Sequence, residues 1–126
     1  MVTATNERGG YLTRLSDGKH VWMADVPRDR DGTDAGPTPT DLLLSACAAC
    51  INITARMLLD EGNYPYEKVE TRVELERTAE GKARFYFRTD IEGDISESDK
   101  AALLKRVERC PVCKLLAAEK EFLPLE

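Results

Sequence analysis

Apolar and polar residues alternate from Tyr66 to Arg77 and again from Ala83 to Glu92, with a turn over residues 78–82 between the two segments. A period of two is typical of a half-buried strand, so the segments predict an antiparallel hairpin. Residues 9–25 predict an earlier hairpin around the turn Ser16–Lys19. Residues 26–38 are rich in Gly, Pro and Asp, a composition that predicts a loop.

A long apolar segment between the hairpins predicts a helix from Thr38 to about Glu61. Thr38 can cap this helix, Pro39 suits its first position, and Asp41 completes a capping box. Because the segment is apolar nearly all round, we expect the helix to be buried on most sides. Polar residues within it argue against a membrane span, since a central arginine costs about 2.5–3.5 kcal/mol there. These residues are Ser45, Asn52, Thr54 and Arg56.

The C-terminal third predicts two further helices and a short strand. Ser96 can cap the first of them, which we expect to end near Cys110 because Pro111 disfavours a helical residue before it. Pro111 then suits the first position of a new helix, and a terminal strand is expected near Phe122. The order ββ-α-ββ-α-α predicts an α+β fold with antiparallel sheets.

The chain length and the net charge limit the architectures and the binding partners that this protein can have. The 126 residues allow one domain, over residues 1–126, and leave little mass to surround the long apolar helix, so we expect a homodimer. The net charge of −5 argues against broad binding to nucleic acid or to anionic membranes. The N-terminal segment does not resemble a secretory signal, which makes the cytoplasm the expected compartment.

The four cysteines form two CxxC pairs, Cys47/Cys50 and Cys110/Cys113, and allow four interpretations. They can be buried packing residues. They can be zinc ligands, although the pairs lie farther apart than the roughly 15–20 residues of a zinc ribbon. The second pair can be a thioredoxin-like dithiol at a helix start. Finally, one thiol from each pair can form a peroxide-reducing couple, in which one thiol becomes a sulfenic acid and the other resolves it.

The segment from Gly36 to Cys50 resembles the hallmark segment of the OsmC/Ohr family. It contains a Gly-Pro-x-Pro loop, an acidic residue, a Leu-Leu pair and an Ala-rich run that ends in cysteine. Cys110 followed by Pro111 resembles the second motif of the family, and His20 with the segment 25–27 resembles the preceding strand and loop. The resemblance extends from about residue 10 to residue 118.

This resemblance implies a thiol-dependent peroxidase that reduces organic hydroperoxides, with Cys50 as the peroxidatic cysteine and Cys110 as the resolving one. It implies an intertwined homodimer in which antiparallel sheets wrap around two long central helices, with active sites at the dimer interface. The expected reductant is a dithiol, either a lipoyl protein or a thioredoxin-like protein. No cofactor, resident metal, nucleic acid or membrane partner is expected.

The chain departs from the Ohr branch at several positions. Where that branch carries a glutamate directly after the second proline of the loop, this chain has Thr40, and its acidic residue is Asp41. For the catalytic arginine of that branch, Arg14 is the nearest candidate, with Arg28 and Arg30 as alternatives. These differences favour an outlying OsmC-like branch, in which Asp41, Arg14 and Thr40 are candidate supporting residues.

Two of the cysteines lie at positions where the family pattern has no cysteine. Cys47 and Cys113 are therefore candidate accessory thiols, and packing is the competing interpretation for Cys47. The alternative function is a protein with the OsmC fold that has no peroxidase activity and acts as a binding or zinc–thiolate protein.

Overall fold

The computed structural model describes residues 1–126, which form an α+β fold with two antiparallel sheets and three α-helices. The predicted order of hairpins and helices is confirmed, with one added strand at the start of the chain. The elements are β1 (Thr3–Asn6), β2 (Thr13–Ser16), β3 (Val21–Ala24), α1 (Pro39–Glu61), β4 (Lys68–Arg77), β5 (Ala83–Glu92), α2 (Glu97–Val107) and α3 (Pro111–Ala117), with a 3-10 turn at Arg28–Arg30.

The first sheet has the order β1-β2-β3, with every pair antiparallel. The predicted turn between β2 and β3 is held by the carboxylate of Asp17, which accepts the backbone N–H groups of Lys19 at 2.9 Å and His20 at 2.7 Å. Gly18 has a φ of 95°, a conformation that favours glycine. Strand β1 was not predicted, because all four of its residues are exposed and so carry no alternation of buried and exposed positions.

The loop after β3 is organised around the buried carboxylate of Asp25. This group accepts hydrogen bonds from the N–H and Oγ1 of Thr33, at 3.2 and 2.6 Å, and from the N–H groups of Val26 at 2.8 Å and Ala35 at 3.1 Å. The Thr33 hydroxyl and these backbone donors lower the pKa of Asp25 to about 2. Gly32 passes so close to Val26 that an added Cβ would lie 1.7 Å from its carbonyl oxygen.

Helix α1 begins at the predicted capping box. The N–H of Asp41 donates to Oγ1 of Thr38 at 3.1 Å, and the Asp41 carboxylate accepts the N–H and hydroxyl of Thr38 in return. The helix ends where predicted, before Gly62. By length and composition α1 is the one helix that could cross a membrane, a test that core helices of soluble proteins also meet.

Within residues 46–126, the core forms where one stripe of α1 packs against the second hairpin and the last two helices. The stripe repeats every four residues, so its members lie on one face of the helix. The expectation that α1 is buried on most sides is not met within one chain, because Ile53 and Met57 are 42% and 65% exposed. The core cluster consists of Cys47, Ile51, Ala55, Leu59, Ile91, Leu103, Val107 and Cys110.

The C-terminal third follows the prediction in its helices and differs after them. Ser96 caps α2 by accepting the N–H of Asp99 at 3.2 Å. Cys110 has extended backbone, with φ −60° and ψ 150°, and Pro111 is the first residue of α3, as predicted. The predicted strand near Phe122 was wrong: residues 118–126 form no strand, and the Phe122 side chain is 95% exposed with no neighbouring strand to pair with.

We expect the Asp25→Asn variant to have a lower melting temperature than the wild type at pH 7, because a neutral amide accepts the four loop hydrogen bonds less strongly. The folded-state pKa of Asp25, about 2, lies below its ordinary value of 3.8. The stabilisation from its carboxylate is therefore present above pH 4 and lost as the pH falls from about 4 to about 2.

Thermal unfolding followed by circular dichroism between pH 2 and pH 7 measures this difference. Asp29→Asn, at an exposed carboxylate of the same loop, is the matched control and should behave like the wild type. A melting temperature of Asp25→Asn equal to that of the wild type at pH 7 would contradict the assigned role of the carboxylate.

Candidate active site

Two segments that lie far apart in sequence meet at the start of α3. The N–H of Val112 donates to Sγ of Cys50 on α1 at 3.5 Å. Cys110 is the N-cap residue of α3, and its Sγ accepts the N–H of Cys113 at 3.4 Å. The backbone of one CxxC motif therefore contacts a thiol of the other.

The two thiols of the second motif are in direct contact, and those of the first motif lie near them. Sγ of Cys110 lies 2.7 Å from Sγ of Cys113. Cys50 is close enough to Cys110, and Cys113 is close enough to Cys47, to influence the pKa values of those two thiols. The fold therefore brings the two CxxC motifs together at the start of α3.

Burial separates Cys50 from two of the other thiols. Cys47 and Cys110 are only 2% and 1% exposed, whereas Cys50 and Cys113 are half-buried. Burial raises the pKa values of Cys47, Cys110 and Cys113 above the ordinary value of a thiol, because desolvation disfavours the thiolate. These three groups are thus protonated at neutral pH.

The Cys110 and Cys113 sulfurs of the unligated chain lie closer together than two sulfurs bound to one zinc. Two sulfurs bound to one tetrahedral zinc, each about 2.3 Å from the metal, lie roughly 3.8 Å apart. The Cys110 and Cys113 sulfurs are closer than that, at 2.7 Å. No group of three or more His, Cys, Asp or Glu side chains is placed to hold a metal ion.

A polar connection fixes α1 to the second hairpin two residues after Cys50. The side-chain amide of Asn52 donates to the carbonyl oxygen of Val69 on β4 at 2.9 Å, and its own oxygen accepts Nε of Arg56 at 3.0 Å. The hydroxyls of Thr71 and Thr89 are hydrogen-bonded to each other beside it, at 3.0 Å. Sequence reasoning did not assign Asn52 a role, although a lone amide in an apolar helix was the available signal.

The predicted supporting residues lie in the first third of the chain. Asp41 belongs to the capping box of α1, and its hydrogen bonds with Thr38 lower the pKa of its carboxyl. Thr40 lies in the first turn of the same helix. Arg14 lies on β2 opposite Met23, and its side chain is exposed. Their contribution to the thiol chemistry stays a prediction.

A family-level comparison decides the relationship of this chain to known proteins. The family described as OsmC-like protein matches residues 32–122, a range that includes all four cysteines. The chain belongs to the OsmC family. None of the curated proteins compared with it matches the sequence at a significant level.

Solved structures show the same fold for this OsmC family member. The OsmC-like protein of Mycoplasma pneumoniae is 22% identical, with a TM-score of 0.77 over 92% of this chain and 85% of that chain. The organic hydroperoxide resistance protein OsmC of Legionella pneumophila is also 22% identical, with a TM-score of 0.65 over 93% and 88%. OhrB of Bacillus subtilis, an organic hydroperoxide resistance protein, is 22% identical as well, with a TM-score of 0.60 over 93% and 89%.

We expect Asn52→Ala to reduce the free energy of unfolding by about 1–3 kcal/mol, because it removes the hydrogen bond to β4 and leaves the partly buried groups around it unpaired. Urea denaturation gives this value. Asp60→Ala changes an exposed residue of the same helix and should lie within about 0.5 kcal/mol of the wild type. Equal losses in the two variants would show that Asn52 does not fasten the helix to the hairpin.

Proposed function

We propose that this OsmC family member is a cysteine-based peroxidase that reduces organic hydroperoxides to alcohols, with Cys50 as the peroxidatic thiol and Cys110 as the resolving thiol. The observation that carries the proposal is the contact between the two CxxC motifs, in which the Cys50 sulfur accepts the N–H of Val112, two residues after Cys110, at 3.5 Å. The names of the Legionella and Bacillus relatives, both organic hydroperoxide resistance proteins, support this substrate class.

The oxidative half of the cycle needs only the thiols of this chain and a hydroperoxide. The Cys50 thiolate attacks the terminal peroxide oxygen, the O–O bond breaks, and the alkoxide leaves as an alcohol after taking up a proton. Cys50 is then a sulfenic acid. The Cys110 sulfur attacks the Cys50 sulfur, water is expelled, and a Cys50–Cys110 disulfide remains.

The environment of the thiols supports Cys50 as the attacking group. The nucleophile in this chemistry is the thiolate rather than the thiol. Burial raises the pKa values of Cys47, Cys110 and Cys113, which keeps them protonated. Cys50 is more accessible than Cys47 or Cys110, and its sulfur accepts a backbone N–H that stabilises negative charge.

We expect Cys50→Ser to abolish reduction of cumene hydroperoxide, because a serine hydroxyl cannot form the sulfenic acid. Consumption of hydroperoxide with dithiothreitol as reductant measures the rate. Cys47→Ala, which removes a buried thiol from the same helix, should keep most of the wild-type rate. An unchanged rate in Cys50→Ser would refute the assignment of the peroxidatic thiol.

The alternative function, a zinc–thiolate or binding protein without peroxidase activity, gives a different result in the same preparation. It requires about one zinc per chain after purification under reducing conditions, together with no turnover of hydroperoxide.

We also propose that the protein acts as a homodimer that covers the exposed face of α1. Small and apolar residues recur there at intervals of three and four, which places them on one side of the helix: Ala46, Ala49, Ile53 and Met57. A continuous apolar face of this kind on an isolated chain is typical of a surface that another protein covers. The long helix is thus completed by a second copy of the chain.

We expect Met57→Glu to convert the dimer to a monomer, because it places a charge within the proposed apolar interface. Size-exclusion chromatography with light scattering measures the mass. Glu61→Gln, at an exposed residue of the same helix, is the matched control and should stay dimeric. A wild-type protein that is monomeric at tens of micromolar would exclude the proposed interface.

The reductant and the compartment complete the proposal. The disulfide that ends the cycle is returned to two thiols by an external dithiol, such as a lipoyl protein or a thioredoxin-like protein. All four cysteines are free thiols in the structure, which fits the reducing conditions of the cytoplasm.

A further inference from the structure

Cys113 has no role in the two-thiol cycle, yet it is in direct contact with the resolving sulfur. Its Sγ lies 2.7 Å from Sγ of Cys110, and its backbone N–H donates to the same atom at 3.4 Å. Cys50 approaches the same motif, because its Sγ accepts the N–H of Val112, between the two cysteines, at 3.5 Å. A resolving sulfur that has a second thiol this close can exchange one disulfide partner for the other.

We propose that Cys113 is a third redox thiol, which takes the disulfide over from Cys50 so that the oxidised protein carries a Cys110–Cys113 disulfide. The inference rests on the proposed peroxidase function, because the hydroperoxide supplies the first disulfide. Cys113 thereby has a chemical role, and the oxidised protein holds its disulfide within the CxxC motif of α3.

The step is an isomerisation that needs no further reactant. The Cys113 sulfur, after losing its proton to solvent, attacks Sγ of Cys110 in the Cys50–Cys110 disulfide. The Cys110–Cys113 bond forms as the Cys50–Cys110 bond breaks, and the electron pair leaves on Cys50 as a thiolate. One disulfide is present before and after the step, so nothing is oxidised or reduced overall.

Sequence proximity also favours the exchange. Cys110 and Cys113 are three residues apart at the start of one helix, so their sulfurs stay close without help from the rest of the fold. Cys47 is the competing thiol, but it lies on α1 and is only 2% exposed, whereas Cys113 is in direct contact with the Cys110 sulfur at 2.7 Å. Burial raises the pKa of Cys113, so the exchange should accelerate as the pH rises.

Trypsin makes the two disulfides distinguishable by mass. Cleavage after Arg109 and Lys114 releases a five-residue peptide with both Cys110 and Cys113, whereas Cys47 and Cys50 lie together in the peptide 31–56. A Cys110–Cys113 disulfide therefore stays within the small peptide, and a Cys50–Cys110 disulfide joins the two peptides.

The experiment treats reduced wild-type protein with one equivalent of cumene hydroperoxide per chain, blocks the remaining thiols with iodoacetamide and maps the tryptic peptides. We expect an intact disulfide inside the five-residue peptide and alkylated Cys50. In Cys113→Ser we expect the two peptides to be joined instead. Joined peptides in the wild type would overturn the relay while leaving the proposed peroxidase cycle intact. A disulfide within residues 31–56 would overturn the relay and also the role of Cys110 as the resolving thiol.

Failure of the proposed function looks different, because all four thiols would then be alkylated after treatment. A second measurement counts the hydroperoxide consumed without any reductant. The relay frees Cys50 to react again, so the wild type should consume about two equivalents and Cys113→Ser about one. Equal consumption by the two proteins would also overturn the relay.

Discussion

The extended backbone of Cys110 is the constraint on which the thiol cluster depends. Pro111 clashes with a helical conformation at the residue before it, so α2 cannot continue directly into α3. The chain turns at this point, and Cys110 becomes the N-cap residue whose sulfur accepts the Cys113 N–H. The same turn directs the Val112 N–H to Cys50. One steric rule at one peptide bond therefore sets the positions of the Cys110 and Cys113 sulfurs and of the N–H that contacts Cys50.

The buried stripe of α1 provides the other half of the site. Ile51, Ala55 and Leu59 fix the rotation of the helix about its axis, since they must face the core. Once this rotation is set, Cys47 falls within the core and Cys50 lies at its border. Asn52 adds a directional contact to β4, which opposes sliding of the helix along the hairpin. Packing thus decides which thiol is accessible.

Elements with strong local signals could be predicted from the sequence. The capping residues Thr38 and Ser96 accept the predicted N–H groups, and the alternating segments form β4 and β5. Strand β1 could not be predicted, because its stability comes from pairing with β2 and not from its own pattern. The hydrogen bonds to the Asp25 carboxylate could not be predicted either. Their donors lie up to ten residues away along the chain and come together only in the folded loop. For the site, the CxxC spacing indicated that Cys113 lies near Cys110, and the resemblance indicated the pairing of Cys50 with Cys110. The contact of the Val112 N–H with Cys50 could not be predicted, because it depends on how α1 packs against α3.

The separation of the two motifs along the chain has a consequence for the entropy of the unfolded protein. A disulfide between Cys50 and Cys110 closes a loop of about 60 residues and would stabilise the fold by roughly 4 kcal/mol, whereas one between Cys110 and Cys113 closes a loop of about four residues and contributes roughly 2 kcal/mol. The first oxidised form would resist unfolding more than the second. The position of the disulfide in this small protein therefore sets the free energy of unfolding as well as the redox state of Cys50.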